Sequence, residues 1–110
     1  MDVPNGLIVL DSKFATYYGF TSENFYVDTY LEGNTSLRQV VIPMLISNNP
    51  GTGHFSKAIK KLLRDGIRVS IPTPVPKMQK ILTIWGFEVN WDPKAGIEYW
   101  VYPPHGAKVD

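Results

Sequence analysis

The stretch SNNPGTGHFSKAIKKLL, at positions 47–63, governs how this chain is read. Two glycines flank a single threonine, and a patterned helix begins at once. From His54 to Asp65 the apolar residues Phe55, Ile59, Leu62 and Leu63 fall on one helical face, and Lys57, Lys60, Lys61 and Arg64 on another. Gly66 supplies the stop. A helix start leaves its first backbone N–H groups without intrahelical partners and carries partial positive charge, so a glycine-rich approach lets an anion come close. The preceding run LRQVVIPMLIS is rich in β-branched residues and is expected to be a central strand buried on both faces, with Pro43 marking a bulge or the end of pairing. IRVSI, after the helix, reads as the next strand. A strand-helix-strand unit of this size implies a parallel pair with a right-handed crossover. It also sets the glycine turn at the carboxyl end of a central strand, where open α/β sheets hold ligands.

Working outward, GLIVLDS is a short apolar strand, FATYYGF is aromatic and β-prone, and NFYVDTYLEG alternates as a half-buried strand ending at Gly33-Asn34. No helical period precedes His54. Downstream, TPVP forces an extended break, Pro76 fits the first turn of a second helix, and KMQKILTIW carries that helix to Gly86. FEVNW and GIEYWVY, joined by the turn-forming DPKAG, close the chain as a hairpin, with a frayed tail after Pro104. The three tryptophans, Trp85, Trp91 and Trp100, read as core or hairpin packing residues. The predicted fold is α/β (α+β): a mixed, mostly antiparallel central sheet with two helices, in one domain spanning residues 1–110.

Composition removes several classes of function. With no cysteine there is no disulfide, thiolate metal site or cysteine nucleophile, and the two histidines, His54 and His105, lack carboxylate neighbours at ligand spacing, so no metal site is expected. A net charge of +1 gives no global field for nucleic acid or an anionic membrane. No apolar run approaches the roughly 20 residues needed to span a bilayer, and MDVPNGLIVLDS lacks the pattern of a signal peptide. The expectation is a soluble, cytoplasmic protein. NPGTGH is not a nucleotide P-loop: the positions that need Lys and then Ser or Thr hold His54 and Phe55, and Asn48 stands where the opening glycine belongs.

The same residues resemble the GCN5-related N-acetyltransferase family. Asn48-x-x-Gly51-x-Gly53 has the spacing of the family signature, Gln or Arg, two residues, Gly, one residue, Gly or Ala, which joins a central strand to a helix. ILTIWGFEV looks like the family's second helix, ending in a Gly-Phe pair, here Gly86-Phe87, that leads into the next strand. The resemblance covers residues 37–102 and implies an acyl-CoA N-acyltransferase-like fold with acetyl-CoA as cofactor. It implies that backbone N–H groups around Gly51, Thr52, Gly53 and His54 cradle the pyrophosphate. Leu45 and Ile46 would offer backbone groups to the pantetheine arm, and Lys57 would reach a phosphate. In the family the strand before the signature splays from its parallel neighbour and the cofactor fills the gap; prolines 72, 74 and 76 fit a strand that stops pairing there.

The chain departs from the family in places that bear on catalysis. Leu82 stands where many members have a Tyr that protonates the leaving sulfur, Val75 replaces a common Asn, and the central strand offers no glutamate as a base. The N-terminal strand and two helices that members carry are expected to be absent. Asp28, Glu32, Glu98 and Tyr102 are the polar candidates on strands, and none has an assignable catalytic role. The function implied is an acetyl-CoA-dependent N-acyltransferase acting on a small-molecule or protein amine. The alternative is a catalytically inactive acetyltransferase-fold binding or assembly module of the kind found among bacteriophage proteins, located in the host cytoplasm or virion. Exposed aromatic residues on the C-terminal hairpin leave room for pairing with a second copy or a partner chain.

Overall fold

A computed structural model of the chain describes residues 1–26, 28–44 and 53–103. Among these, the elements in chain order are β1 (Gly6–Val9), α1 (Lys13–Tyr17), β2 (Tyr30–Asn34), β3 (Gln39–Met44), α2 (His54–Arg64), β4 (Arg68–Pro72), α3 (Pro76–Ile84), β5 (Glu88–Asp92) and β6 (Ile97–Tyr102). The six strands form one mixed sheet in the order β1-β2-β3-β4-β6-β5. The β3–β4 pair is parallel, and the other neighbouring pairs are antiparallel. This is the mixed, mostly antiparallel sheet that the residue pattern predicts, with three helices rather than two.

The extra helix is α1, in the stretch expected to be a strand. Ser12 caps it by accepting a hydrogen bond from the Ala15 N–H, and Phe14, Ala15 and Tyr18 are buried at helical spacing. With five residues, α1 is too short for its period to outweigh the β propensity of its aromatic residues. The strand expected over NFYVDTYLEG is also shorter than predicted. The Phe25 N–H donates to the Thr21 carbonyl and the Thr29 N–H to the Tyr26 carbonyl, and β2 begins only at Tyr30.

All three helices stop in the same way. The N–H of a hydrophobic residue reaches back five positions and that of the preceding glycine three: Phe20 to Ala15 with Gly19 to Thr16, Ile67 to Leu62 with Gly66 to Leu63, and Phe87 to Leu82 with Gly86 to Thr83. This is the Schellman geometry, in which glycine takes the left-handed conformation and the residue after it turns back into the core. The three glycines have φ of 90°, 75° and 87°, and Phe20, Ile67 and Phe87 are all buried.

Strand alternation sorts the sheet into two faces. Ile8, Leu31, Val40, Ile42, Val69, Ile71 and Trp100 point to one face and form a single cluster with Phe14 and Ala15 of α1, Ala58, Ile59 and Leu62 of α2, and Leu82 of α3. Fully burying a Leu or Ile of this kind contributes about 1.5–3 kcal/mol. The other face carries no helix among the described residues, and Leu7 and Val9 on it are exposed. Central strand β3 is therefore buried on one face only. Its Val40 and Ile42 lie in the core, whereas Gln39, Val41 and Pro43 line an open groove. Trp100 and Trp85 pack as expected, Trp85 stacking on Phe55 at 6.0 Å, but Trp91 on edge strand β5 is 64% exposed and packs no core.

Gly33 is where the N-terminal segment crosses β2. A Cβ built there would sit 1.9 Å from the Pro4 carbonyl oxygen, and the segment is pinned on both sides of that point by Thr35, whose hydroxyl donates to the Val3 carbonyl and whose N–H donates to Asn5 Oδ1. Gly33→Ala is expected to lower stability by at least about 2 kcal/mol, read as the midpoint of urea unfolding; an unchanged midpoint would show that this crossing carries no load.

Candidate functional site

The carboxyl ends of β3 and β4 are the chemically distinctive part of the molecule. Their parallel ladder has three pairs, Gln39 with Arg68, Val40 with Val69 and Val41 with Ser70, after which both strands run on without pairing to each other. Past that point β3 contains a bulge: Tyr30 pairs with Met44 but Glu32 with Val41, so β3 holds one more residue than β2 across the interval containing Pro43. Pro43 lacks a backbone N–H, and so does Pro72, the last residue of β4, whose ladder partner is Tyr99 of β6. The sheet therefore forks between its two central strands, as the proline in the central strand predicts.

Two helices begin at the forked end, because α2 follows β3 and α3 follows β4. The N-cap of α2 is Gly53, exposed, at φ 84°, with no side-chain cap. The N-cap of α3 is Val75, again without a side-chain cap, and Pro76 occupies the first turn as predicted. Both helices thus turn their positive ends toward the fork. Of the residues expected to bind a cofactor, Gly53, His54 and Lys57 are brought together in the first turn of α2; Leu45, Ile46, Asn48, Gly51 and Thr52 lie outside the described residues. His54 and Lys57 line a cleft of about 240 Å³ between α1 and α2, with Thr16, Tyr17, Tyr18 and Asn24 opposite.

The basic face of α2 is divided in its use. Lys57, Lys60 and Arg64 are exposed. Lys61 instead serves the packing of α1, donating to the Tyr17 carbonyl at 2.6 Å with its ammonium 3.9 Å from the Tyr17 ring centroid. Beneath it the buried Tyr18 hydroxyl donates to Asp65 Oδ2 at 2.7 Å, and Arg38 donates to the Asp65 carbonyl, tying down the end of α2. Burial, followed by the hydrogen bond to the Asp65 carboxylate, raises the Tyr18 phenol above its ordinary range.

On the helix-free face, below the fork, lies a groove of about 420 Å³. Val41, Pro43, Ser70 and Pro72 make its floor, and Glu32, Leu37, Gln39, Asp92, Ile97 and Tyr99 complete its lining. Among the polar candidates on strands, Glu32 alone is here. Glu98 belongs to the opposite face and accepts from Trp100 Nε1, Tyr102 packs on Phe87, and Asp28 lines a separate cleft beside β1. Sequence reasoning missed Ser70, Asp92 and Tyr99. The signal for Ser70 was a lone hydroxyl in the middle of the apolar run IRVSI. Among the described residues no three His, Cys, Asp or Glu side chains are grouped so as to hold a metal, and no helix is long and apolar enough to cross a membrane.

Comparison of the chain with protein-family models, with curated proteins and with solved structures found no match. The second resembling motif also has a purely structural cause. Gly86-Phe87 is the stop of α3, and the same dipeptide, Gly19-Phe20, stops α1 with the same hydrogen bonds.

The raised phenol fixes the sign of a pH dependence. An unfolded chain releases the Tyr18 proton near pH 10 while the folded chain retains it, so the stabilisation from Tyr18 is complete below that pH and declines above it. Chemical denaturation from pH 8 to 11.5 should show this loss, and Tyr18→Phe should flatten it while lowering stability at pH 8 by about 1–2 kcal/mol; an identical alkaline slope in the variant would contradict the assignment.

Proposed function

We propose that this chain is an acetyltransferase-like domain that binds acetyl-CoA or a related acyl-CoA and passes the acyl group to an amine. One observation carries this reading: the parallel ladder stops at Val41 and Ser70 while both central strands continue, and the gap opens beside the bare start of α2. A thin, partly peptidic arm suits such a gap, since strands that no longer pair leave main-chain groups for a ligand. The anionic end of the cofactor suits the α2 start, where Gly53 and His54 offer backbone N–H groups and Lys57 adds a cation one turn on. The cofactor would supply an activated thioester. The chain's own task would then be to align an amine with it, so that a C–N bond forms as the C–S bond breaks and the proton leaving nitrogen is taken up at or near sulfur.

A second reading in another class is an acetyltransferase-like binding or assembly module without catalysis. Leu82, at the position of the family's sulfur-protonating Tyr, is fully buried in the core, and Val75 leaves the α3 start without a polar side chain. Neither can deliver a proton to a thiolate.

Thermal unfolding with and without acetyl-CoA tests both. At a hundredfold excess over Kd the cofactor should stabilise by about 2.7 kcal/mol, raising Tm by roughly ten degrees; no shift at millimolar cofactor would remove both coenzyme readings. A shift without thioester consumption over a panel of amines would select the binding module. Lys57→Ala should weaken the cofactor about twofold to fivefold with the Tm of the free protein unchanged, whereas unaltered affinity would return Lys57 to solvent.

A further inference from the structure

Strand β5 is an unprotected edge. Among the described residues no strand lies beyond it, and its ladder with β6 runs unbroken from Glu88 to Asp92, without the bulge, lysine or proline that commonly blunts an edge. The opposite edge is different: β1 has four residues, and its last carbonyl, that of Val9, already accepts from the N–H and hydroxyl of Ser12. One hydrogen bond fixes which way the main chain of β5 faces. The Thr73 N–H, just past β4, donates to the Glu98 carbonyl, so Glu98 turns its main-chain groups toward β4. Successive residues of an antiparallel strand turn those groups to alternate sides, which points Ile97, Tyr99 and Val101 at β5. Their ladder partners Asp92, Asn90 and Glu88 therefore face β6, and Val89 and Trp91 present their N–H and C=O groups outward. The side chains of the same two residues are 48% and 64% exposed. Outward main chain and exposed apolar side chains together are what strand addition uses, the first for affinity and the second for choice of partner.

We propose that β5 is the docking edge for an extended segment of a partner protein, which adds antiparallel as a seventh strand with basic residues opposite Asp92 and Glu88 and apolar residues opposite Trp91 and Val89. Main chain and tryptophan carry the site; charge selects the occupant. Glu88 and Asp92 lie on the other face of β5, about 13 Å apart at the rise of a strand, and their neighbours across the ladder are Val101 and Ile97, so β6 supplies no cation beside them. Lys94 lies in the turn beyond the strand, and Arg68, two strands in, donates to the Pro103 carbonyl. A second copy of the chain is a poor occupant. The antiparallel register that uses both Val89 and Trp91 on each copy sets Glu88 opposite Asp92 twice over, and like charges directly opposite destabilise a ladder. A basic-apolar-x-apolar-basic segment meets the same edge with opposite charges at both ends and apolar pairs between them. The inference is independent of the coenzyme reading, because β6 separates β5 from the fork.

The probe is the capped peptide acetyl-GKVTVKG-amide, titrated into the intact chain at low salt and followed by amide chemical shifts and hydrogen exchange. In the free protein the Asn90 amide should exchange slowly and the Val89 and Trp91 amides fast. Saturating peptide should protect those two and shift amides of β5 and β6, leaving β1 unmoved. Affinity should fall about tenfold in Trp91→Ala, at an exposed position where Tm should not change, and should vanish for a peptide N-methylated at both valines, which lacks the two donors. Glu88→Lys should weaken the peptide several-fold and recover with acetyl-GKVTVEG-amide, whose glutamate is the residue opposite position 88. No binding at millimolar peptide, equal binding of the N-methylated form, unaltered affinity in Trp91→Ala, or no recovery by the charge swap would overturn the inference. So would concentration-dependent dimerisation of the free chain that protects the same two amides, since the occupant would then be a second copy.

Discussion

The architecture depends on a parallel ladder only three residue pairs long. β3 and β4 must run the same way for α2 to connect them, and a crossover of that kind places the helix on a single face of the sheet with a fixed hand. Once α2 covers that face, Ala58, Ile59 and Leu62 define the core into which α1 and α3 also pack. A longer ladder would close the gap above Val41 and Ser70. Bulged β3 and the prolines at 43 and 72 oppose that, since neither proline has a backbone N–H to give to a neighbouring strand. The molecule therefore holds its two central strands together at one end and apart at the other.

Among the described residues all three helices lie on one side of the sheet, so its two faces differ. The covered face is continuous and apolar from Ile8 on β1 to Trp100 on β6. The other face mixes Glu32, Val41, Ser70 and Tyr99 about a groove that also touches the fork. The groove and the separated strand ends thus share Pro43 of β3 and Pro72 of β4.

Much of this was legible in the residues. The helix from His54 could be read because four apolar and four basic residues keep a 3.6 period over three turns; the hairpin because DPKAG separates two β-rich runs; and the bulge because proline in a central strand has few other outcomes. α1 was not legible, since a single turn and a half of aromatic residues carries strand propensity in isolation and becomes helical only through the Ser12 cap and the burial of Phe14 and Tyr18. Of the candidate site, the α2 start was visible as a glycine pattern, whereas the groove was not. The residues that line it come from β2, β3, β4 and β6, far apart in the chain, and strand order alone sets them side by side. Gly86-Phe87 gives the opposite lesson: a dipeptide that looks like a family mark recurs at Gly19-Phe20, where backbone geometry alone accounts for it.

The shared way in which the helices end has a consequence for how the chain can vary in length. Each glycine must arrive at one angular position so that Phe20, Ile67 or Phe87 swings inward, and a single inserted residue upstream within the same helix would rotate that position by about 100°. After α2 and α3, where Ile67 and Phe87 directly precede β4 and β5, the strand would then start with its hydrophobic residue facing water. Length changes are consequently costly anywhere between a helix cap and its glycine, which makes the three terminators the rulers by which the chain keeps its register.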